Sequence, residues 1–376
     1  MPAPFDVAII GLGAMGSAAA YHLARRGRRV LGLDRCVPPH TKGSSHGKTR
    51  IIREVYFEHP QYVPLVSHAY TCWERLEAES GERLFEQTGG LTIGAPDSQI
   101  VSGARTSAAL HNLVCEALSA SDVRRRYPAL QVPDDMVALL EPRAGMLFPE
   151  RVIETHLNLA AKHGATLRTN ETVTSWRGGA DDVKVLTTSG RYEAERLIIA
   201  GGAWLPALVP ELTLPLTVER VVMHWFDPGE RAACFAPNRL PIFMLEYAPG
   251  SMFYGFPARP EGVKVAKHHQ GEPTDPASVV RDVAPEEVDQ MRGLLARFLP
   301  GLEEAWLRSC VCLYTNTPDQ DFVIDAHPAH PQVLIVSACS GHGFKFSSAI
   351  GEIAADLVTE GGSAFDLTPF RLSRLM

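Results

Sequence analysis

The chain opens with an apolar run at residues 5–10, the pattern of a short strand covered on both faces. Residues 14–26 then carry helical spacing and stop at Gly27, and a second apolar run at 30–33 ends on Asp34. Further on, Leu65, Ala69, Trp73 and Leu76 recur on one helical face and predict a helix over 62–76. Residues 91–94 read as a strand, 105–128 as helical pieces and 136–148 as one or two strands with Gly145 at a turn. A helix over 150–163 is ended by Gly164. Short strands at 166–168, 172–176, 183–188 and 192–195 lead into a buried strand at 196–200.

From residue 216 the runs read as antiparallel strands, at 216–226, 242–247, 251–257 and 262–268, with Pro249-Gly250 as a hairpin turn. A helix over 285–298 has proline in its first turn. Strands at 306–315, 322–325 and 333–336 precede a final helix at 347–359. This order predicts an α/β chain of two interleaved domains. A Rossmann-like domain takes 1–84, 147–213 and 312–376; an antiparallel-sheet domain takes 85–146 and 214–311.

Composition adds exclusions. The 376 residues are 45% hydrophobic and 21% charged, enough for two domains. A net charge of -7 argues against nucleic acid or an anionic membrane as a main partner. No apolar run approaches the roughly 18 residues of a membrane-spanning helix, and the first residues lack a charged leader pattern. The seven cysteines are odd in number and contain no C-x-x-C pair, which fits a reducing cytoplasm and argues against disulfides or a metal site.

The first turn carries the first chemistry. Gly11, Gly13 and Gly16 stand at G-x-G-x-x-G spacing between strand and helix, and Asp34 follows at the end of the second strand. Gly11 allows the tight turn, Gly13 a close backbone approach to a pyrophosphate, and Gly16 close helix–strand packing. The helix start at Ala14 and Met15 offers free N–H groups to phosphate, and Asp34 an acceptor to a ribose hydroxyl. NAD and FAD both use this fingerprint. Gly201-Gly202-Ala203-Trp204 repeats a strand–glycine–helix order, a ligand edge or a plain tight turn.

Four other stretches stand out. In Lys48-Thr49-Arg50-Ile51-Ile52-Arg53, Arg50 and Arg53 share a face if this is a helical turn, as a carboxylate clamp or a solvated basic face. After Phe253-Tyr254-Gly255-Phe256-Pro257, a strand at 262–268 would align Lys264 with His268, inward with a polar task or outward on a protective edge. On the strand at 306–315 Cys312 and Tyr314 share a face, although a lone cysteine is more often a core residue. In Ser340-Gly341-His342-Gly343-Phe344-Lys345, two glycines precede a helix and a lysine sits among apolar neighbours.

With the segments HGKTRIIR, YGFP, CLYTNTPDQDFVID, SGHGFKFSSAIGEIAADL and FDLTPFRLSR, the whole chain resembles the monomeric sarcosine oxidase and N-methyltryptophan oxidase family. These are FAD-dependent amine oxidases of the D-amino acid oxidase-like superfamily. The resemblance implies oxidation of an N-methyl amino acid to an imine, which hydrolyses to formaldehyde and the demethylated amino acid, with O2 reduced to hydrogen peroxide. A cyclic imino acid such as L-pipecolate is the alternative substrate, and an NAD-dependent dehydrogenase or a flavin-binding subunit without turnover the rival readings. It implies FAD held covalently by Cys312 and contacted by Gly11, Gly13, Ala14, Met15, Gly16, Asp34, Ser44, Thr49, Gly202, Trp204, Gly341, His342, Gly343, Phe344 and Lys345. Arg53 and Lys345 match the pair that binds the substrate carboxylate. Arg50 matches a catalytic residue beside the flavin, Lys264 the lysine that activates oxygen, and Tyr254, His268 and Met244 the substrate cavity. Ser45 and Lys48 stand where the family often has His and Asp. A monomer in the cytoplasm is expected.

Overall fold

The structure, a computed structural model, describes residues 5–376. The leader reading and the start of the 1–84 segment fall partly on residues 1–4, outside the described residues.

The opening pattern folds as strand β1 (Phe5–Ile10), helix α1 (Ala14–Arg25) and strand β2 (Val30–Leu33). β1 pairs in parallel with β2 on one side and with Arg191–Ile199 on the other. The chain direction of travel across the sheet therefore reverses at β1, the position at which open parallel sheets bind ligands beyond their strand ends. Parallel pairing continues to Thr166–Arg168 and to His330–Ser337. Three antiparallel strands complete an eight-stranded sheet. Residues 192–195 and 196–200, expected as two strands, are one: Arg191–Ile199 has no Gly or Pro to break it, and its first half pairs outward while its second half is buried. α1 packs against helices Pro149–Lys162 and Ser347–Glu360. The second crossing is close, since a Cβ on Gly351 would lie 2.4 Å from the Ala18 Cβ.

The second sheet has nine strands. Thr217–Phe226 pairs antiparallel with Trp306–Asn316 and with Val263–His268, which continues through Ser251–Gly255 to Ile242–Ala248. Gly90–Gly94 then joins in parallel, so this sheet is mixed where an antiparallel one was expected. Val137–Glu141 and Glu116–Ser119 follow. The expected domain boundary at 311/312 falls inside Trp306–Asn316, which stays in this sheet to its end. A small third sheet joins strand β3 (Arg50–Ile52) to Gly145–Leu147 and Phe85–Gln87.

Ile9, Leu23, Trp73 and Ile350 lie in the core beneath the helices of the first sheet. Phe243, Phe253 and Leu295 lie between the second sheet and helix Pro285–Phe298. Fully burying such a side chain contributes about 1.5–3 kcal/mol each. The two cores hold apart the two walls of a cleft. Among the described residues, no helix is long and apolar enough to cross a membrane.

Candidate active site

The glycines of the first turn do three different jobs. Gly11 adopts φ +89°, and a Cβ there would lie 2.4 Å from the Ala200 carbonyl oxygen. A Cβ on Gly16 would lie 1.8 Å from the Gly11 carbonyl oxygen. Gly13 is different: only Ser45 Oγ, at 3.9 Å, stands near its missing Cβ, so this face of the backbone opens into the cleft. The first helical bond runs from Ser17 N–H to the Gly13 carbonyl, which leaves the N–H groups of Ala14, Met15 and Gly16 without helical acceptors. Asp34 receives the Leu12 and Cys36 amides at 2.8 Å each, one per carboxylate oxygen, and each oxygen keeps a lone pair. The buried indole nitrogen of Trp204 has no partner. Free helix amides, an open glycine face, a half-used carboxylate and an orphaned indole N–H on one wall fit a dinucleotide.

A single cavity of about 850 Å³ runs from Gly11, Gly13 and Asp34 past Ser44, Gly202 and Cys312 to Met244, Tyr254, His268 and Lys345. It thus joins the ends of the parallel sheet to the face of the mixed sheet. Ala14, Met15, Arg50, Arg53, Trp204, Gly341, His342, Gly343 and Phe344 also line it. Gly16, Thr49 and Lys264 do not: the first packs inside the turn, Thr49 belongs to the 47–49 loop, and Lys264 is spent on the carbonyls of that loop.

Two cation pairs flank this cavity. In the first, Arg50 donates to the Thr49 carbonyl at 2.9 Å and the Ser44 carbonyl at 2.6 Å, with Cys312 Sγ 3.4 Å away. Lys264 Nζ donates to the carbonyls of Gly47 at 2.9 Å and Thr49 at 2.7 Å. Burial, then Arg50, pushes the Lys264 ammonium far below its usual acidity range. Glu150 holds the loop from the other side by accepting the Gly47 and Lys48 amides.

In the second pair Arg53, only 3% exposed, meets Glu58 through both carboxylate oxygens at 2.6 and 2.8 Å. Its guanidinium lies over the rings of Tyr56 and Phe57, and its Nε is buried without a partner. Lys345, in a single 3-10 turn Gly343–Phe346, donates to the His342 carbonyl at 2.6 Å and approaches Tyr56 Oη at 3.5 Å. Burial, then Arg53, lowers its ammonium to about 7, while Glu58 works against that shift. His342 Nε2 donates to the Gln320 carbonyl, so its Nδ1 accepts from Tyr56 Oη at 2.5 Å. Burial holds His342 near 4 and His268 far below the ordinary imidazole value, so both are neutral at pH 7. His268 Nδ1 lies 3.2 Å from Tyr314 Oη.

Two local expectations change. Arg50 and Arg53 do not share a helical face, because Arg50–Ile52 is a strand pairing with Gly145–Leu147. The strand sends them to different pairs. The protective-edge reading of Lys264 is overturned as well, since Val263–His268 lies between two other strands and Lys264 is 2% exposed. Tyr56 and Glu58 were not anticipated. The only trace of them in the sequence is polar residues spaced irregularly after Arg53, which no period distinguishes from a surface loop.

Residues 6–357 match the family model described as FAD dependent oxidoreductase. The chain is 44% identical to a protein of Streptomyces avermitilis named monomeric sarcosine oxidase, over 100% of this chain and 99% of that one. It is 39% identical to a protein of Citrobacter koseri named N-methyl-L-tryptophan oxidase, over 98% of this chain and 99% of that one. Among solved structures it resembles NikD, described as an unusual amino acid oxidase essential for nikkomycin biosynthesis, with a TM-score of 0.86, 26% identity and coverage of 98% and 97%. Glycine oxidase from Geobacillus kaustophilus shares the fold, with a TM-score of 0.84 at 21% identity over the full length of both chains.

Proposed function

This chain belongs to the FAD dependent oxidoreductase family, and on that premise we propose that it oxidises N-methyl amino acids and reduces O2 to hydrogen peroxide. The observation that carries the reading is the second cation pair. Arg53 and Lys345 are buried and both line the cavity, and a small carboxylate is the ligand that two such cations bind.

FAD bound along the cavity supplies a two-electron acceptor for the substrate and a donor for O2. The glycine turn, Asp34 and Trp204 would hold its ADP half; Cys312 would carry it through a thioether, and Arg50, beside that thiol, would sit against its ring. The chain's own contributions are positional and electrostatic. Arg53 and Lys345 grip the substrate carboxylate and fix the orientation of the N-methyl group. The same cations disfavour a further ammonium charge, so the amine binds in the neutral form from which oxidation proceeds. His268 stays neutral beside Tyr314 and Tyr254, while Met244 and Met252 shape an adaptable apolar side of the pocket. Arg50 adds positive charge behind the reaction face, and Lys264, whose ammonium burial disfavours, becomes easier to protonate as negative charge arises when O2 is reduced. The imine product hydrolyses in water to formaldehyde and the demethylated amino acid. We take the enzyme to act as a cytoplasmic monomer.

A peroxide assay with sarcosine, N-methyltryptophan and pipecolate tests this. Peroxide from an N-methyl amino acid is expected; none from any secondary amino acid would remove the reading. Attachment is tested separately by acid precipitation. Yellow flavin should stay in the pellet of wild type and appear in the supernatant of Cys312→Ala.

A further inference from the structure

Glu141 ends the strand Val137–Glu141 and is 5% exposed. A carboxyl group in such a place is costly unless its oxygens are used. Both are used on backbone: one accepts the Glu54 amide at 2.7 Å, the other the Val55 amide at 3.0 Å. Val55 is also held at its carbonyl, on the next peptide unit, because Arg53 Nη1 donates to it at 2.9 Å. Glu141 thus grips the two peptide units that follow Arg53, and Arg53 in return grips the carbonyl of the third. The neighbouring Arg143 and Ser67 hold the Glu54 side chain, at 2.9 and 2.7 Å.

The arrangement crosses between sheets. Arg53 follows β3 of the small sheet, whereas Glu141 belongs to the mixed sheet. Its strand pairs with Gly90–Gly94, which pairs with Ile242–Ala248, which pairs with the strand of Tyr254. The Glu141 carboxylate is therefore a hydrogen-bonded tie between the loop of one cation and the sheet that carries the opposite pocket wall.

We propose that Glu141 is a positioning residue of the carboxylate site, holding the Arg53 guanidinium in register with the sheet that bears Tyr254 and His268. The inference rests on the reading of Arg53 as a ligand of the substrate carboxylate. Glutamine at 141 keeps one acceptor and turns the other end of the group into a donor facing an amide. Aspartate keeps the charge but draws it back from the loop.

The test uses flavin-loaded enzyme with sarcosine and N-methyltryptophan as substrates and acetate as a non-oxidisable carboxylate. Glu141→Gln, Glu141→Asp and Arg53→Lys are compared with wild type for KM, kcat, the acetate inhibition constant and flavin content. Glu141→Gln should raise KM and the acetate constant about tenfold, with kcat within about threefold and flavin content unchanged. Glu141→Asp should fall between it and wild type. If Arg53→Lys raises KM but neither Glu141 variant does, the positioning role is wrong and the carboxylate reading stands. If Arg53→Lys leaves KM and the acetate constant unchanged, the carboxylate reading fails and this inference with it. Parallel losses of flavin, kcat and affinity in both Glu141 variants would assign Glu141 a general structural role and overturn the proposal. Should Glu141→Gln not fold, Glu141→Asp decides alone: a raised KM at full flavin content supports the proposal, and an unchanged KM overturns it.

Discussion

The two flanks of the cavity hold the same equipment in different settings. Each has an arginine and a buried lysine, with Arg50 and Lys264 on one side and Arg53 and Lys345 on the other. Around Arg50 and Lys264 the direct acceptors are backbone carbonyls, the Thr49 hydroxyl, a thioether and a thiol, and among the described residues no carboxylate is in contact with either cation. Around Arg53 a carboxylate is already present, because Glu58 occupies one side of its guanidinium. Carbonyls solvate a cation without cancelling its charge, so Arg50 keeps the first flank positive, while burial and Arg50 together disfavour the ammonium form of Lys264. On the second flank Glu58 offsets Arg53, and on the proposed reading a substrate carboxylate is offered the orphaned Arg53 Nε and the Lys345 ammonium. Position relative to a carboxylate, and not the kind of cation, separates a field-supplying flank from a ligand-binding one.

The sharpest way to break the comparison is to remove the buried lysine from the first flank. Lys264→Met should lower peroxide-forming turnover about 10²-fold or more, as loss of a charge-stabilising group does. Substrate KM should change little; a variant with normal oxygen reactivity would remove the field-supplying role. On the second flank Lys345→Met should raise KM by a factor of about 10 to 100, the scale of a lost charge-assisted contact to a carboxylate. An unchanged KM would take Lys345 out of the site.

A smaller effect separates the lysines by pH. Lys345, lowered to about 7, loses its proton as the pH rises through neutrality. Acetate should therefore bind more weakly at high pH, by a factor of about 3 to 10 between about pH 6 and pH 8. Glu141, pushed up to about 7 by burial, gains its charge over the same interval and tightens the Arg53 loop, in the opposite direction. The effect of Lys345 is thus read as the difference between wild type and Lys345→Met; identical pH profiles would refute it. The smallest effect tests the balance itself. Glu58→Gln frees Arg53 from its resident carboxylate, so acetate should bind about threefold tighter while the melting temperature falls, because a buried cation loses its partner. Weaker binding would show that Glu58 assists the ligand instead of competing with it.

Much of this scaffold was legible in the sequence, and the exceptions have physical causes. β1, β2 and helix Pro285–Phe298 have the predicted bounds because apolar runs and a first-turn proline mark them locally. Glu116–Ser119 was missed because it is an outer strand burying only Leu118, too little for a period to appear. Arg50, Arg53, Tyr254, His268, Cys312 and Lys345 all line one cavity. Lys264, which the resemblance matches to an oxygen-activating lysine, does not line the cavity, and its partners are carbonyls supplied 215 and 217 positions away, which no local pattern shows. Glu141 was illegible for a similar reason, since it acts on the loop after β3 only when that loop meets another sheet. Glu58 is only five positions from Arg53, but no period marks an irregular loop that turns the two side chains together.

The most direct test is an anaerobic titration of the purified holoenzyme followed by admission of air. Sarcosine or N-methyltryptophan should bleach the yellow absorbance of the bound flavin without oxygen, and air should restore it with one peroxide per flavin. Failure of every N-methyl amino acid to bleach the flavin, or recovery in air without peroxide, would contradict the account.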